Sequence, residues 1–280
     1  MSAEILGIHG IGQERKSQES LRESWKNAAQ EGISASHENA KLRSMDVAFY
    51  APLFRKATGR LGGAGEIFDG IPLSAGERIF LEEILEDGLI IDTGTGDVQT
   101  QVLGLTAIPS HISRFLVTVD RKFGRNAGKY LLYILRQVYR YLTDEDLASA
   151  IRQKVTESIS TSTRLILGHS LGSVVLYDMI LRGDLSRGNG SGYQGTSIVT
   201  FGSPLTWPTV RRMLGHGLDI QDVGCEWHNL FDPLDAVTGG AELIGPRTIN
   251  VSVKNGLGDP HAAVNYLRHP AIGNLLRCTT

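Results

Sequence analysis

The sequence predicts an α/β protein: a mainly parallel sheet covered on both faces by helices, with a helical insertion over the strand ends. Three observations predict it. Short apolar runs alternate with helix-compatible stretches, the rhythm of βα units whose strands pair in parallel. Hydrophobic residues make up 41% and charged residues 21% of the 280 positions, enough to bury a large core. One stretch, residues 52–130, breaks the βα rhythm and is too long for a connecting loop. The chain is therefore expected to form one domain over residues 1–280, with residues 52–130 as its cap or lid.

The first strand is expected at residues 4–8, followed by a helix over 18–32 with Leu21, Trp25, Ala28 and Ala29 at helical spacing. A second strand lies at 44–50 and ends before Pro52. The insertion holds a glycine-rich segment at 59–65, an acidic helix-like segment at 74–87 and a Gly/Thr/Asp-rich loop at 92–97. It runs into a segment, residues 112–142, that mixes apolar side chains with Arg114, Arg121, Lys122, Arg125, Lys129, Arg136 and Arg140. Such a segment either packs on the domain with a solvated basic face, the reading favoured, or rests transiently on an anionic membrane surface. Thr143, followed by three acidic residues, is expected to cap the next helix. Further strands are expected at 163–167, 196–201, 225–231 and 247–253. A glycine-rich loop lies at 187–195, and helices start near Pro260 and near the C-terminus.

The most informative residues are Gly168-His169-Ser170-Leu171-Gly172, between the apolar run 163–167 and a helix-like run 173–180. This is a G-x-S-x-G pattern in the strand–turn–helix context of a nucleophile elbow. A serine on so sharp a turn takes a strained backbone, and Gly168 and Gly172 let neighbouring segments pass without a Cβ clash. Its hydroxyl then stands beside the following helix's first amides, with His169 next to it.

A serine hydroxyl needs a base, and the base an orienting acid. In this architecture the acid and then the histidine follow the serine, each after a later strand. After the strand at 225–231 stand Asp232 and Asp235, of which Asp235 is favoured and the other is expected to form a turn. After the last strand stands His261, with His269 as fallback, whereas His216 and His228 come too early in the chain. The oxyanion of the tetrahedral intermediate is expected to take the N–H of Leu171 and a second N–H from the loop Ile8-His9-Gly10-Ile11-Gly12. Ile11 is the favoured donor and Gly10 the alternative. That loop has neither the GxGxxG spacing nor a Walker lysine, which argues against a nucleotide site.

Net charge is −2, which gives no reason to expect nucleic-acid binding. Cys225 and Cys278 form neither a disulfide framework nor a metal spacing. No secretory signal and no membrane-spanning run stand out, so the cytoplasm is the expected compartment.

In this order, Ile8-His9-Gly10-Ile11-Gly12, Gly168-His169-Ser170-Leu171-Gly172, Phe201-Gly202-Ser203-Pro204, Asn229 to Val237 and a late His261 resemble the α/β-hydrolase superfamily, most of all its intracellular serine esterases and lipases. The resemblance spans Ile5 to about Tyr266 apart from the insertion, and lacks the family's first two antiparallel strands. Residues 229–237 are similar to the N-x-x-x-x-x-D-P-V acid loop of phospholipase-like members, with Ala236 in place of proline. That alignment makes Asp235 the acid. His261 and Tyr266 stand further apart than the usual H-x-x-Y.

The resemblance implies a three-layer α/β-hydrolase sandwich, and a serine hydrolase that cleaves carboxylic esters through Ser170, His261 and Asp235 and an acyl-enzyme. Lipid or phospholipid acyl esters are the preferred substrates, and no metal or cofactor is implied. Thioesterase, peptidase and acyltransferase chemistry use the same groups, and a non-catalytic ligand-binding protein of the same fold is the alternative from another class.

Overall fold

The computed structural model describes residues 3–58, 72–90, 108–185, 197–215, 220–256 and 258–278. The glycine-rich loops expected at 59–65, 92–97 and 187–195, and His216, lie outside these residues.

Among the described residues six strands form one sheet: β1 (Ile5–Ile8), β2 (Met45–Ala48), β3 (Leu165–His169), β4 (Ser197–Phe201), β5 (Trp227–Phe231) and β6 (Thr248–Ser252). Their order is β2-β1-β3-β4-β5-β6, and every neighbouring pair is parallel. The strands are near-continuous apolar runs because both faces are covered, and alternate residues feed two separate cores. Ile5, Val47, Leu165, Leu167 and Phe201 pack under α1 (Gln18–Ser36), α9 (Ala263–Arg268) and α10 (Pro270–Cys278). Leu6, Ile8, Ile166 and Ile198 face the other way, into the larger core.

That larger core takes α2 (Ala51–Thr58), α3 (Ala75–Glu86), α4 (Ser110–Phe123), α5 (Ala127–Thr143), α6 (Glu145–Ser158), α7 (Leu171–Arg182) and α8 (Pro208–Met213). The described part of the 52–130 stretch is therefore helical, and its apolar faces join the domain core. Ile112, Phe115, Leu116 and Val119 of α4 and Leu131, Ile134, Leu135 and Val138 of α5 are buried there.

The helix ends follow their local chemistry. Ser17 caps α1 by accepting the Ser20 N–H, and Ser74 and Glu77 cap α3 reciprocally. The cap of α6 is Asp144, whose carboxylate accepts the Leu147 N–H at 3.0 Å, in place of the expected Thr143. Thr143 ends α5 and donates its hydroxyl to the Tyr139 carbonyl. The two helices abut so closely that the side chain able to reach the N3 amide is the aspartate one residue on.

The chain leaves β1 outward to β2, then returns to the other side of β1 at β3. That reversal makes a switch point at the carboxyl ends of β1 and β3, where parallel sheets open a crevice. Both the Ile8–Gly12 loop and Ser170 stand there.

Candidate active site

Ser170 joins β3 to α7 with φ 53° and ψ −127°, one of three non-glycine positive-φ residues among those described. This backbone costs on the order of 1–3 kcal/mol and persists because its surroundings enforce it. Gly172 is part of that enforcement: a Cβ there would come within 2.1 Å of the Ile8 carbonyl oxygen, so only glycine lets α7 cross β1 this closely.

Three side chains from three strand ends meet at Ser170. His261, from the loop after β6, faces the serine hydroxyl with Nε2 2.9 Å from Ser170 Oγ. Its Nδ1 lies 2.8 Å from Asp235 Oδ2, from the loop after β5. All three are buried. The backbone fixes Asp235 further: its Oδ1 accepts the Val237 N–H at 2.9 Å, making it the cap of a short 3-10 turn. With Nδ1 donating to the carboxylate, Nε2 is left to accept the hydroxyl proton, the polarity that serine activation requires.

Asp232 does something else. Its Oδ1 accepts the Leu234 N–H at 2.8 Å and its Oδ2 the Asn255 N–H at 2.5 Å, so it ties the β5 loop to the β6 loop that carries His261. His269 accepts the Ala271 N–H at the start of α10, away from the serine, and His228 is half-buried on β5.

The loop after β1 lies against the serine: a Cβ on Gly10 would approach Ser170 Cβ to 2.7 Å. His9 pins this loop. Its Nδ1 donates to the Gly10 carbonyl at 2.5 Å, its Nε2 accepts the Tyr50 N–H at 3.2 Å, and the Tyr50 hydroxyl donates to the His9 carbonyl. A trans peptide points its C=O and N–H oppositely, so holding the Gly10 carbonyl against His9 turns the Ile11 N–H away from that ring. Leu171 is the first residue of α7, where N–H groups lack helical partners. Neither the Ile11 nor the Leu171 N–H donates to a described group.

Two further residues brace the site. The Tyr266 hydroxyl, fully buried, donates to Asp235 Oδ2 at 2.9 Å and accepts the Asp232 N–H at 3.0 Å. His169 donates from Nε2 to the His261 carbonyl at 2.8 Å, holding the backbone that carries the His261 ring. The His261–Tyr266 spacing is the sequence signal for the first, and His169 stands inside the elbow pattern, although nothing in the sequence tells what its ring reaches.

His9 and His169 stay neutral in the fold. Burial lowers the His9 imidazole to about 4, and burial together with neighbouring His261 holds His169 well below its ordinary range. Unfolded imidazoles take their proton near 6.5, so below that pH the unfolded state binds more protons than the folded one. Stability is thus full above about pH 6.5 and is lost as pH falls toward about 4. Thermal melts should give a lower Tm at pH 5 than at pH 7, and an equal or higher one contradicts the neutral assignment.

Among the described residues no cluster of His, Cys, Asp and Glu is arranged to hold a metal ion, and no helix is long and apolar enough to cross a membrane. Cys225 is a free, half-buried thiol. Chemically, the arrangement can deprotonate Ser170, hold an adjacent anionic oxygen against backbone amides, and return the proton.

The fold and site define a mixed α/β protein with a buried Ser-His-Asp chain at the carboxyl ends of an all-parallel sheet, an architecture compatible with an α/β-hydrolase. No protein-family model, curated protein or solved structure matches the chain.

Proposed function

We propose that the protein is a serine hydrolase of carboxylic esters on an α/β-hydrolase sandwich, with lipid or phospholipid acyl esters as preferred substrates. One observation carries the reading: the unbroken hydrogen-bond chain from Ser170 Oγ through His261 to Asp235, with the serine at a strained strand–helix turn. A serine held only for structure has no need of an imidazole oriented by a carboxylate, nor of a positive-φ backbone beside uncommitted amides.

In the reaction, Ser170 Oγ attacks the acyl carbon as His261 Nε2 takes the hydroxyl proton. The developing oxyanion rests on the Ile11 and Leu171 N–H groups, and Gly10 keeps the approach open. His261 then protonates the departing alcohol, leaving an acyl-serine. Water repeats the sequence and releases the acid.

Ser170 is 1% and His261 3% exposed, so substrate entry requires the covering helices to yield. The α4–α5 region acts as the cap, and opening it is the step that detergent or lipid favours. Surface contact with an anionic membrane would run through Arg121, Lys122 and Arg125, exposed at the end of α4 and in the turn before α5.

The test is intact-mass spectrometry after exposure to a fluorophosphonate, with and without detergent. The reading expects one adduct, mapped to Ser170 and absent from Ser170→Ala. A folded wild type silent under both conditions overturns it in favour of a ligand-binding protein.

Tyr266→Phe offers a finer check. The Tyr266 O–H draws on the same Asp235 oxygen that faces the imidazole. Without it the Asp235 carboxylate keeps only its contacts to His261 and to the Val237 N–H, so the imidazole is held less firmly, and kcat should fall about tenfold while KM stays near wild type. An unchanged kcat alongside a lowered Tm would reduce Tyr266 to a structural role.

A further inference from the structure

A pocket of about 320 Å³ opens on His261 from the outside. Its walls include Phe123, Arg125 and Tyr130 from the α4–α5 region, Leu234 beside the acid loop, and Asp259 next to the base. Neither Ser170 nor the loop after β1 lines it. Tyr130 stands edge-on to the imidazole at a ring distance of 5.6 Å.

This placement has a chemical meaning if the proposed function holds, and the inference rests on that reading. His261 hands its proton to the departing oxygen, so the part of the ester beside His261, and away from the oxyanion loop, is the alcohol. The acyl chain must lie elsewhere. The pocket on the imidazole is thus the leaving-group pocket.

Its polar lining then selects the alcohol. Arg125 is exposed on the wall, and its guanidinium has no partner among the described residues. It sits between Gly124 at φ 104° and Asn126 at φ 68° in the α4–α5 turn. The first turn of α5 is not the anion-binding element, because Asp120 Oδ1 already accepts the Gly128 N–H at 2.7 Å. Asp259 and Asp235 carry the opposite charge on the same pocket, and Asp235 is taken up by His261, Tyr266 and the Val237 N–H, so an anionic substituent is accepted on the Arg125 side and repelled on the Asp259 side. Phe123, Leu234 and the Tyr130 ring leave the space between them apolar.

We infer that the pocket beside His261 binds the alcohol part of the ester and that Arg125 selects alcohols bearing an anionic group such as a phosphate. A guanidinium pairs with a phosphate through two parallel N–H donors, and an alcohol without the charge leaves that fork unused. The phosphate ester can be a soluble metabolite or a lipid headgroup, and the chemistry at Arg125 is the same.

The experiment compares kcat/KM for two matched soluble esters, 1-butyrylglycerol and 1-butyrylglycerol 3-phosphate, on wild type, Arg125→Gln and Asp259→Asn. Because Arg125 is solvent-exposed, the wild-type preference for the phosphate ester should be about tenfold, not the larger ratios of buried sites. Arg125→Gln should abolish that preference and Asp259→Asn should increase it. Raising the salt from 50 to 500 mM should shrink it. A wild type that cleaves both esters equally, or a preference that survives Arg125→Gln, overturns the inference and leaves the hydrolase reading standing. A protein that takes the fluorophosphonate on Ser170 yet cleaves neither ester overturns the substrate class alone. Absence of both labelling and cleavage is the failure of the hydrolase reading itself. A parallel assay on vesicles carrying phosphatidate against vesicles carrying diacylglycerol separates the sources: a preference confined to the soluble pair identifies a free phosphate ester, and one that extends to the vesicles identifies a lipid headgroup.

Discussion

Ser170→Ala should lower kcat/KM for any ester the protein cleaves by about 10⁶-fold, because the chemical step loses its nucleophile while every other group stays in place. Alanine keeps the Cβ that packs against Gly10 and asks for the same backbone at φ 53°. The loss on the folded side is therefore small: one hydroxyl and its bond to His261 Nε2, worth about 1 kcal/mol. A Tm within a few degrees of wild type alongside complete loss of turnover and of fluorophosphonate labelling is the expected pair of results. Turnover that persists in this variant would move the chemistry to another residue, since Oγ is the atom His261 faces.

The second large effect separates the two aspartates of the β5 loop. Asp235→Asn should cost about 10⁴-fold in kcat, since an amide in that position can present an N–H to His261 Nδ1 and favour the tautomer whose Nε2 cannot take a proton. Tyr266 O–H, which also points at Oδ2, makes the substitution worse by facing a second donor. Asp232→Asn removes no group that touches the imidazole. It weakens the contacts to the Leu234 and Asn255 N–H groups, so its expected cost is about 1–2 kcal/mol in stability and at most about tenfold in kcat. Steady-state kinetics and thermal melts on the same preparations check both. The reverse ranking would assign the acid to Asp232, against the 2.8 Å contact of Asp235 with His261.

Much of the architecture is legible in the linear chain because parallel strands buried on both faces are apolar throughout, and the helices between them carry one apolar stripe. The runs at 163–167, 196–201 and 225–231 reappear as β3, β4 and β5, each within a few residues of the expected bounds. Their ends differ because hydrogen-bond register, not hydropathy, decides where pairing stops: β3 extends through His169, which pairs with Phe201. The all-parallel order was not legible, since which strand lies beside which depends on contacts between residues far apart in the chain.

At the site the same division holds. Gly168, Ser170 and Gly172 are marked in the sequence because a strained turn between buried elements tolerates few residue types. The sequence favours Asp235 over Asp232 only by resemblance and loop position, because both sit in one loop beside Pro233 and three residues of a turn decide which carboxylate faces inward. What the side chains of His9, His169 and Tyr266 hold has no local signature: each acts through a partner 31 to 92 positions away.

By itself the sequence determined the α/β class and the strand–turn–helix that carries Ser170, because these follow from short-range periodicity and turn stereochemistry. Only the tertiary structure decided that Asp235 faces His261, that His9 and His169 brace the two loops, and that Arg125 lines the pocket on the imidazole. Those are distances across a folded interior, which exist only after the sheet brings its strand ends together.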